Sequence, residues 1–259
     1  HSDAIEGNTL TLQETKLVIE EGVTIGGKPL KDHIEARNDA EAFDLMIELV
    51  KSKKKFSQEL IQQIHKFVMK GILNNPGQYR TENVRITGAR INPPSYQKIV
   101  KLMDEYIQNI NKLKLQTVKK ATFIHHEFVK IHPFIDGNGR VARLLTNFYL
   151  IKNGYPPIVI QKEDRKKYYK TLNKADQGDL SDFATFIART VNESIQYYLS
   201  SFIEEERLVS LSDLSKKSDY SQEYLSLRAR QGKLDAVKIE NIWYSSKRAL
   251  KDYKKSVKK

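Results

Sequence analysis

The sequence predicts a mainly α-helical protein with a small β-hairpin, followed by a second, smaller domain. Apolar residues recur at helical spacing through most of residues 11–205, and capping signals end several of these segments. One short stretch, 79–92, alternates around a Thr-Gly turn instead and predicts the hairpin. An acidic run at 204–206 precedes a basic tail of different composition. We therefore assign 1–10 to an N-terminal segment, 11–205 to a main domain and 206–259 to a C-terminal domain.

Each predicted element has its own signal. The first helix, Thr11 to Gly22, begins with a Thr-x-x-Glu capping box and stops at glycine. The other helical segments share apolar residues three and four apart: 34–50, 57–72, 96–111, 117–131, 140–152, 165–172 and 180–204. In the hairpin, Pro93 and Pro94 stop further strand pairing. In the tail, three short helices are predicted at 211–216, 221–231 and 245–255, with a two-stranded wing at 236–244.

Charge and composition narrow the class of protein. The chain has 44 Lys and Arg against 32 Asp and Glu, a net charge of +12, and residues 207–259 hold 14 basic and 6 acidic residues. This excess favours anionic partners such as nucleotides, nucleic acid or acidic protein surfaces. The absence of cysteine excludes disulfides, zinc–thiolate sites and cysteine nucleophiles. No apolar run approaches the roughly 20 residues that cross a bilayer, so we expect a soluble, cytoplasmic protein without membrane partners.

The segment from His132 to Arg143 is the richest in chemistry. Pro133 prevents simple continuation of the preceding helix, which leaves His132 at a helix end. Gly137 and Gly139 then allow a tight turn into the next helix. Because the N–H groups at a helix N-terminus are unpaired, we expect a phosphate to bind here.

Side chains of the same segment supply the groups that phosphate chemistry needs. Arg140 and Arg143 are three residues apart, so both guanidinium groups lie on one helical face and suit neighbouring phosphates. Asp136 offers a carboxylate to a hard cation such as Mg²⁺. His132, with an ordinary pKa of roughly 6.5, can accept a proton from a hydroxyl.

Each of these features, taken alone, has a commoner structural explanation. A histidine before proline is usually a capping or core residue, Asp-Gly-Asn-Gly is usually a turn, and paired arginines usually form a solvated face. A calcium-binding EF-hand is disfavoured, because placing Gly139 at the sixth loop position puts Phe134 where an acidic ligand is required. It is the combination of these residues that favours a functional site.

The same segment matches the pattern HxFx(D/E)GNGRxxR of the Fic (filamentation induced by cAMP) family at every fixed position. The resemblance covers roughly residues 2–187 and implies a helical Fic fold with a β-hairpin flap. It also implies a protein adenylyltransferase that moves AMP from ATP to a protein hydroxyl, with Mg²⁺ and release of pyrophosphate. The acceptor would be a Ser, Thr or Tyr side chain of a target protein or of the chain itself.

The family pattern implies a role for each matching residue. His132 would deprotonate the hydroxyl, Asp136 would hold Mg²⁺ and Arg143 would hold the γ-phosphate, while Phe134 anchors the loop in the core. The rest of the phosphate chain would be held by Gly137, Asn138, Gly139 and Arg140. The flap that docks a target corresponds to Ile86, Thr87, Gly88, Ala89 and Arg90. The adenine pocket corresponds to Tyr168, Tyr169 and Asp176; some relatives have Asn at the last position, so base preference stays open.

The first residues resemble the inhibitory pattern (S/T)xxxE(G/N) of this family, with Ser2 and Glu6 at its fixed positions. A bidentate contact between Glu6 and Arg143 would occupy the donor that the γ-phosphate needs, so ATP would bind unproductively. The same glutamate positions water for AMP removal in some relatives. A de-AMPylating hydrolase is therefore an alternative function.

The basic tail resembles winged helix-turn-helix modules, with Arg228, Arg230 and Lys233 near the recognition helix and Trp243 in the wing. Its charge fits DNA, yet protein docking or homodimerisation fits it equally well. A rival hypothesis is a DNA-binding regulator whose Fic body senses nucleotide without modifying a partner. Phosphate transfer, as in the Doc branch, is disfavoured by the intact glycines of the motif, while UMP or phosphocholine transfer stays open.

Overall fold

The computed structural model describes residues 1–86, 92–203, 207–239 and 241–257. The chain divides into two compact units, His1–Ala188 and Arg189–Lys259, and the division falls within one long helix. The composition change that predicted a boundary at 205 lies downstream of this division. Across the described ranges, no helix combines the length and apolar character that crossing a bilayer requires.

The first unit confirms the prediction of a mainly α fold. Its α-helices are α1 (Ser2–Glu6), α2 (Leu12–Glu20), α3 (Leu30–Lys51), α4 (Gln58–Val68), α5 (Ile99–Lys112), α6 (Thr117–Ile131), α7 (Asn138–Lys152), α8 (Arg165–Ala175) and the first part of α9 (Ser181–Ser200). Short 3₁₀ turns precede α5 and α8. The predicted capping box at Thr11 is present, since its hydroxyl accepts from Glu14 N and the Glu14 carboxylate accepts from Thr11 N.

The core of this unit lies among α3 to α7, and α6 and α7 pack against each other along their lengths. Its fully buried apolar side chains include Leu60, Ile64, Phe128, Val141 and Phe148. Burying each such side chain stabilises the fold by roughly 1.5–3 kcal/mol. The loop that joins α6 to α7 is therefore attached at both ends to helices of the buried core.

Local differences from the predicted elements have physical reasons. Helix α7 begins at Asn138, two residues before the predicted start at Arg140, because Gly137 in left-handed backbone serves as its N-cap. Helix α1 was not predicted, since five residues show no periodicity. In the predicted hairpin, 79–86 and Asn92 are not in strands. Its remaining residues, 87–91, lie outside the described residues.

The second unit contains helices α10 (Leu211–Ser215), α11 (Gln222–Arg230) and α12 (Lys247–Val257) with strands β1 (Val209–Ser210), β2 (Val237–Ile239) and β3 (Ile242–Ser245). The sheet is antiparallel in the order β1-β3-β2, and Tyr244 of β3 pairs with Val237 of β2 and Ser210 of β1. Apolar residues of all three helices form one cluster that includes Leu214, Leu225 and Leu250. All three predicted helices and both predicted strands are present; the two-residue β1 was too short to predict.

Candidate active site

His132 ends α6 in left-handed backbone, with φ 50° and ψ 59°. The proline that follows cannot donate to the helical ladder, so the chain leaves the helix here. The Nδ1–H of His132 donates to the carbonyl oxygen of Val129 at 3.2 Å, which leaves the lone pair of Nε2 available. Burial, with this hydrogen bond opposing it, lowers the pKa of His132 below its ordinary value. The ring is therefore neutral near pH 7, as a general base must be.

The loop after His132 is held in shape by buried groups. The side-chain amide of Asn138 accepts from Phe134 N at 3.0 Å and donates to Phe134 O at 2.9 Å. Phe134 is fully buried, as predicted, and stacks on His65 with ring centroids 3.6 Å apart. His65 accepts from Gly77 N at 2.7 Å and so donates through Nε2 to the Asp136 carbonyl oxygen at 3.1 Å. Asn138 thus shapes the loop, and its predicted contact with phosphate stays a prediction.

Two glycines are required at the start of α7, for different reasons. Gly137 has a φ of 77°, and an added Cβ would lie 2.7 Å from Met69 Sδ. At Gly139, in the first turn, an added Cβ would collide with the carboxylate of Glu6. Gly137 therefore permits the turn, and Gly139 leaves room for an anion beside the helix N-terminus.

Both predicted phosphate arginines are buried, Arg140 to 2% exposure and Arg143 to 7%. One nitrogen of Arg140 lies 3.5 Å from Glu35 Oε1 and 3.2 Å from Met69 Sδ. Its Nε and NH1, and NH1 of Arg143, are buried without a hydrogen-bond partner in the described part of the chain. Unpaired buried guanidinium nitrogens are energetically costly, so the site is built to receive further anionic groups.

Arg140 lines a cavity of about 640 Å³, within the size range of small-ligand sites, whereas Arg143 is not part of its lining. The residues that line it include ones predicted as base, metal ligand, phosphate donor, adenine contact, inhibitor and flap residue: Glu6, Ile86, His132, Asp136, Gly137, Asn138, Gly139, Arg140 and Tyr169. The Asp136 side chain is 49% exposed, and one oxygen lies 3.8 Å from Lys31 Nζ. Base, carboxylate and phosphate donors therefore line one cavity.

The N-terminal segment occupies part of this site. Glu6 Oε1 lies 2.9 Å from Arg143 NH2, so the predicted carboxylate–guanidinium contact is present. Arg143 also donates to the Ser2 hydroxyl at 2.9 Å and to the Ser2 carbonyl oxygen at 3.1 Å. Ile5 is fully buried, and its carbonyl oxygen accepts from Arg165 Nε at 2.7 Å. Helix α1 is thus held on the site by side chains of α7 and α8.

Comparison with known proteins places this cavity in a known domain family. The model of the Fic/DOC family matches residues 55–150, which include helix α6, the loop and most of α7. This chain carries a Fic domain. It is 34% identical over 229 residues to protein adenylyltransferase Fic of Nematostella vectensis, a match that covers 85% of this chain and 53% of the relative. The chain thus spans about half the length of this curated relative.

Solved structures agree on the fold. Fic-1 (residues 134–508) of Caenorhabditis elegans superposes with a TM-score of 0.71 at 32% identity, covering 78% of this chain and 61% of that one. A Fic family protein from Desulfovibrio desulfuricans G20 has a TM-score of 0.64 at 22% identity and covers 95% of this chain and 83% of its own. The latter likeness bears on the fold alone.

Of the three residues predicted for the adenine pocket of the Fic domain, Tyr168 and Tyr169 have ring centroids 5.1 Å apart, but Tyr169 alone lines the cavity. Tyr169 lines the cavity, and the guanidinium of Arg165 lies 5.4 Å from its ring centroid. Tyr168 is buried, with its hydroxyl 2.8 Å from His125 Nε2. Asp176 Oδ1 lies 3.0 Å from His126 Nε2. Neither Tyr168 nor Asp176 lines this cavity, so an adenine role for them stays a prediction.

The flap residues are only partly described. Arg85 and Ile86 line the cavity beside His132. The other four predicted flap positions, Thr87, Gly88, Ala89 and Arg90, lie outside the described residues. The start of the segment therefore reaches the Fic site.

The sequence did not point to Arg165, His65 or Glu35, which contact α1, the loop between α6 and α7, and Arg140 respectively. Each lies outside the motif and has an ordinary sequence context. From the pattern of charges alone, a charged residue that is buried beside a partner cannot be distinguished from one that is exposed to solvent.

A carboxylate pair makes the docking of α1 depend on pH. Oδ1 of Asp3 in α1 and Oδ1 of Asp39 in α3 are both buried without a hydrogen-bond partner in the described part of the chain. Burial, the charge of Asp39 and a hydrogen bond between the protonated Asp3 carboxyl and Asp39, opposed by Arg140 and Arg143, raise the pKa of Asp3 from 3.8 to about 8. An undocked α1 would ionise near the lower value, so docking takes up a proton. Docking therefore weakens as pH rises from about 4 to about 8.

We expect Asp3→Asn to remove this pH dependence. The affinity of α1 for its site would fall by at most roughly tenfold per pH unit in the wild type and stay level in the variant, because an amide does not ionise. Fluorescence anisotropy of a dye on a cysteine introduced at position 1, in a chain that has no cysteine of its own, is recorded from pH 5 to 9 and measures the mobility of α1. Parallel curves for wild type and Asp3→Asn would contradict this assignment.

Proposed function

We propose that the Fic domain transfers AMP from ATP to a hydroxyl side chain of a protein. The observation that carries this proposal is the cavity lined by a neutral histidine and by Arg140, whose buried Nε and NH1 have no hydrogen-bond partner among the described residues. Arg143 contacts Glu6, which does line the cavity, so an anion that replaces the Glu6 carboxylate and extends beyond a single phosphate would reach both arginines. The names of the curated relatives, protein adenylyltransferases, agree with this chemistry.

The reaction follows from the positions of these groups. The acceptor oxygen attacks the α-phosphorus of ATP and forms a new P–O bond. The bond between the α-phosphorus and the oxygen that bridges it to the β-phosphate breaks, and pyrophosphate leaves. The proton of the hydroxyl passes to Nε2 of His132, which is free because Nδ1 is bonded to Val129. Backbone N–H groups at the start of α7 and Arg140 stabilise the charge on the phosphates, so catalysis rests on positioning and electrostatics.

Asp136 fits a Mg²⁺ ion that is also held by substrate phosphates. Its carboxylate is half exposed within the cavity, and no group of three His, Asp or Glu side chains able to hold a metal by itself occurs in the described ranges. Mg²⁺ commonly binds through one or two carboxylates plus phosphate oxygens, so this donor set suits it. When bound, the ion would neutralise phosphate charge.

Glu6 is the proposed inhibitor of this reaction. Its carboxylate lies beside Gly139 and on Arg143, where the γ-phosphate would otherwise bind. A carboxylate and a phosphate compete for the same donors, so ATP binds with its α-phosphorus displaced from the line of attack. In the alternative, Glu6 positions a water that attacks the phosphorus of AMP on a modified protein. The bond between phosphorus and the protein oxygen breaks, the hydroxyl is regenerated by taking up a proton, and AMP leaves, so this reaction is a hydrolysis.

The proposed partner is a protein segment that docks on the flap. Arg85 and Ile86 at the start of the flap line the cavity, so a strand paired there would present its side chain to His132. Self-modification, homodimerisation and a cytoplasmic location stay predictions from the sequence.

Mass spectrometry of proteins incubated with ATP and Mg²⁺ tests the proposal. The Glu6→Gly variant is added to cell lysate, and peptides carrying added AMP are sought, including peptides of the chain itself. AMP on Ser, Thr or Tyr is the expected result. If AMP disappears from previously modified proteins instead, the domain works as a de-AMPylating hydrolase.

DNA binding by the second unit is a second candidate function. Helix α11 follows α10 after a short turn, and Arg230 and Lys233, at and just beyond its end, are exposed. Strands β2 and β3 form an antiparallel pair next along the chain. Short helices joined by a turn, followed by a β-ribbon with exposed basic residues, suit contact with a DNA backbone.

We expect the full chain to retard random-sequence duplex DNA in a gel, with affinity that falls linearly in the logarithm of salt concentration. Replacing Arg230 and Lys233 with alanine should reduce the salt slope by about 1 per phosphate contact removed. Lys251→Ala, which removes an exposed charge from α12, is the matched control. Equal binding by all variants would assign the basic surface to another role.

A further inference from the structure

Arg80 lies in the segment 79–85 that leads into the flap at Ile86, and it is 3% exposed. Its Nε donates to the carbonyl oxygen of His132 at 2.9 Å, its NH1 to that of Glu82 at 2.8 Å and its NH2 to that of Pro94 at 2.5 Å. Its own backbone N–H donates to the Pro133 carbonyl oxygen at 2.9 Å. One side chain therefore contacts the catalytic histidine and both ends of the flap segment.

This arrangement uses the guanidinium group in an unusual way. Each hydrogen bond recorded for its side chain ends on a main-chain carbonyl oxygen, although a buried guanidinium usually pairs with a carboxylate. The group is planar and rigid, so its three donating nitrogens hold the three carbonyl groups at fixed separations. A lysine has one nitrogen and a flexible stem, so it cannot hold all three.

We propose that Arg80 is a positioning residue that ties both ends of the target-docking flap to the catalytic histidine. The inference rests on the proposed function, in which a hydroxyl docked on the flap must lie within hydrogen-bond reach of His132 Nε2. Because His132 and the chain on both sides of the flap share one rigid partner, a hydroxyl docked on the flap is held at a fixed separation from the base. A misplacement of about 1 Å between reacting groups can cost on the order of 100-fold in rate.

Arg80 has a second, electrostatic consequence. The charged groups that act on His132 are Arg80, Glu6 and Asp136, and Arg80 opposes the two carboxylates. Its positive charge, after burial, helps to hold the pKa of His132 low. Removing the charge raises that pKa, so more of the base is protonated at a given pH. The acid limb of the rate profile then moves to higher pH.

Two substitutions in the Glu6→Gly background separate these effects. Arg80→Lys keeps the positive charge but cannot hold all three carbonyl groups, while Arg80→Gln loses both the charge and this set of three hydrogen bonds. We expect self-AMPylation with α-labelled ATP to fall roughly 10- to 100-fold in both variants. ATP affinity, measured by calorimetry, should stay within about twofold of the parent value, because Arg80 does not line the cavity that holds the phosphate donors. The acid limb should move only in Arg80→Gln.

Amide hydrogen exchange of the full chain provides a readout that does not depend on activity. We expect faster exchange in 81–86 and 92–98 of both Arg80 variants, with the core helices unchanged. Arg37→Gln, which removes an exposed arginine from the same unit, is the matched control and should change neither exchange nor rate. If Arg80→Gln does not fold, Arg80→Lys still decides the question.

The outcomes distinguish this inference from the proposed function. Unchanged exchange at both flap ends, or unchanged self-AMPylation in Arg80→Lys, would overturn the positioning role. If the Glu6→Gly parent itself incorporates no AMP, the proposed function is at fault. Exchange then remains the test of whether Arg80 ties the flap ends to the loop.

Discussion

Glu6→Gly is expected to raise AMP incorporation from labelled ATP by roughly 10- to 100-fold, because a hydrogen bond to a charged group is worth about 1.5–3 kcal/mol. The contact it removes is buried at its Arg143 end, where the guanidinium is 7% exposed, so solvent screens it little. Without the carboxylate, Arg143 is free to hold the γ-phosphate. The initial rate of incorporation into the chain itself, at saturating ATP and Mg²⁺, measures the effect.

Two further variants test the cause of this gain. Glu6→Gln keeps the length of the side chain and loses its charge, so it should recover part of the gain. Glu21→Gly replaces an exposed glutamate after α2 and should have no effect. Equal incorporation by wild type and Glu6→Gly would mean that Glu6 does not restrain the reaction.

His132→Ala in the Glu6→Gly background is expected to lower incorporation by 10²- to 10⁴-fold, about the contribution of a general base. No other histidine lines the cavity in the described part of the chain, so no neighbouring imidazole replaces it. ATP affinity should change little, because the phosphate donors lie in α7 and not on the imidazole. Incorporation is measured by single-turnover transfer, and ATP binding by calorimetry.

The backbone at His132 calls for a second variant. Its φ of 50° is left-handed, a conformation that alanine adopts at some cost and asparagine adopts more readily. His132→Asn therefore preserves the loop while removing the base, and it should be as inactive as His132→Ala. If His132→Asn retains full transfer, proton removal at this position does not limit the reaction.

The sequence alone predicted much of the site because the site is local. Base, carboxylate, glycines and both arginines lie within twelve residues, and the proline and glycines among them dictate a helix end, a turn and a new helix. Backbone chemistry of this kind acts over a few residues, so its result can be predicted without knowing the rest of the fold. The mainly α fold was predictable for the same reason, since helical periodicity is a local property.

The contacts that complete the site are long-range, and only the tertiary structure decided them. Ser2 meets Arg143 across 141 residues, and Arg80 meets His132 across 52. A family sequence pattern suggested that Glu6 pairs with Arg143. No such pattern pointed to the Asp3–Asp39 pair or to the three hydrogen bonds that the Arg80 side chain donates. Which buried polar groups meet depends on how whole helices pack, because that packing fixes the distances between side chains far apart in the chain.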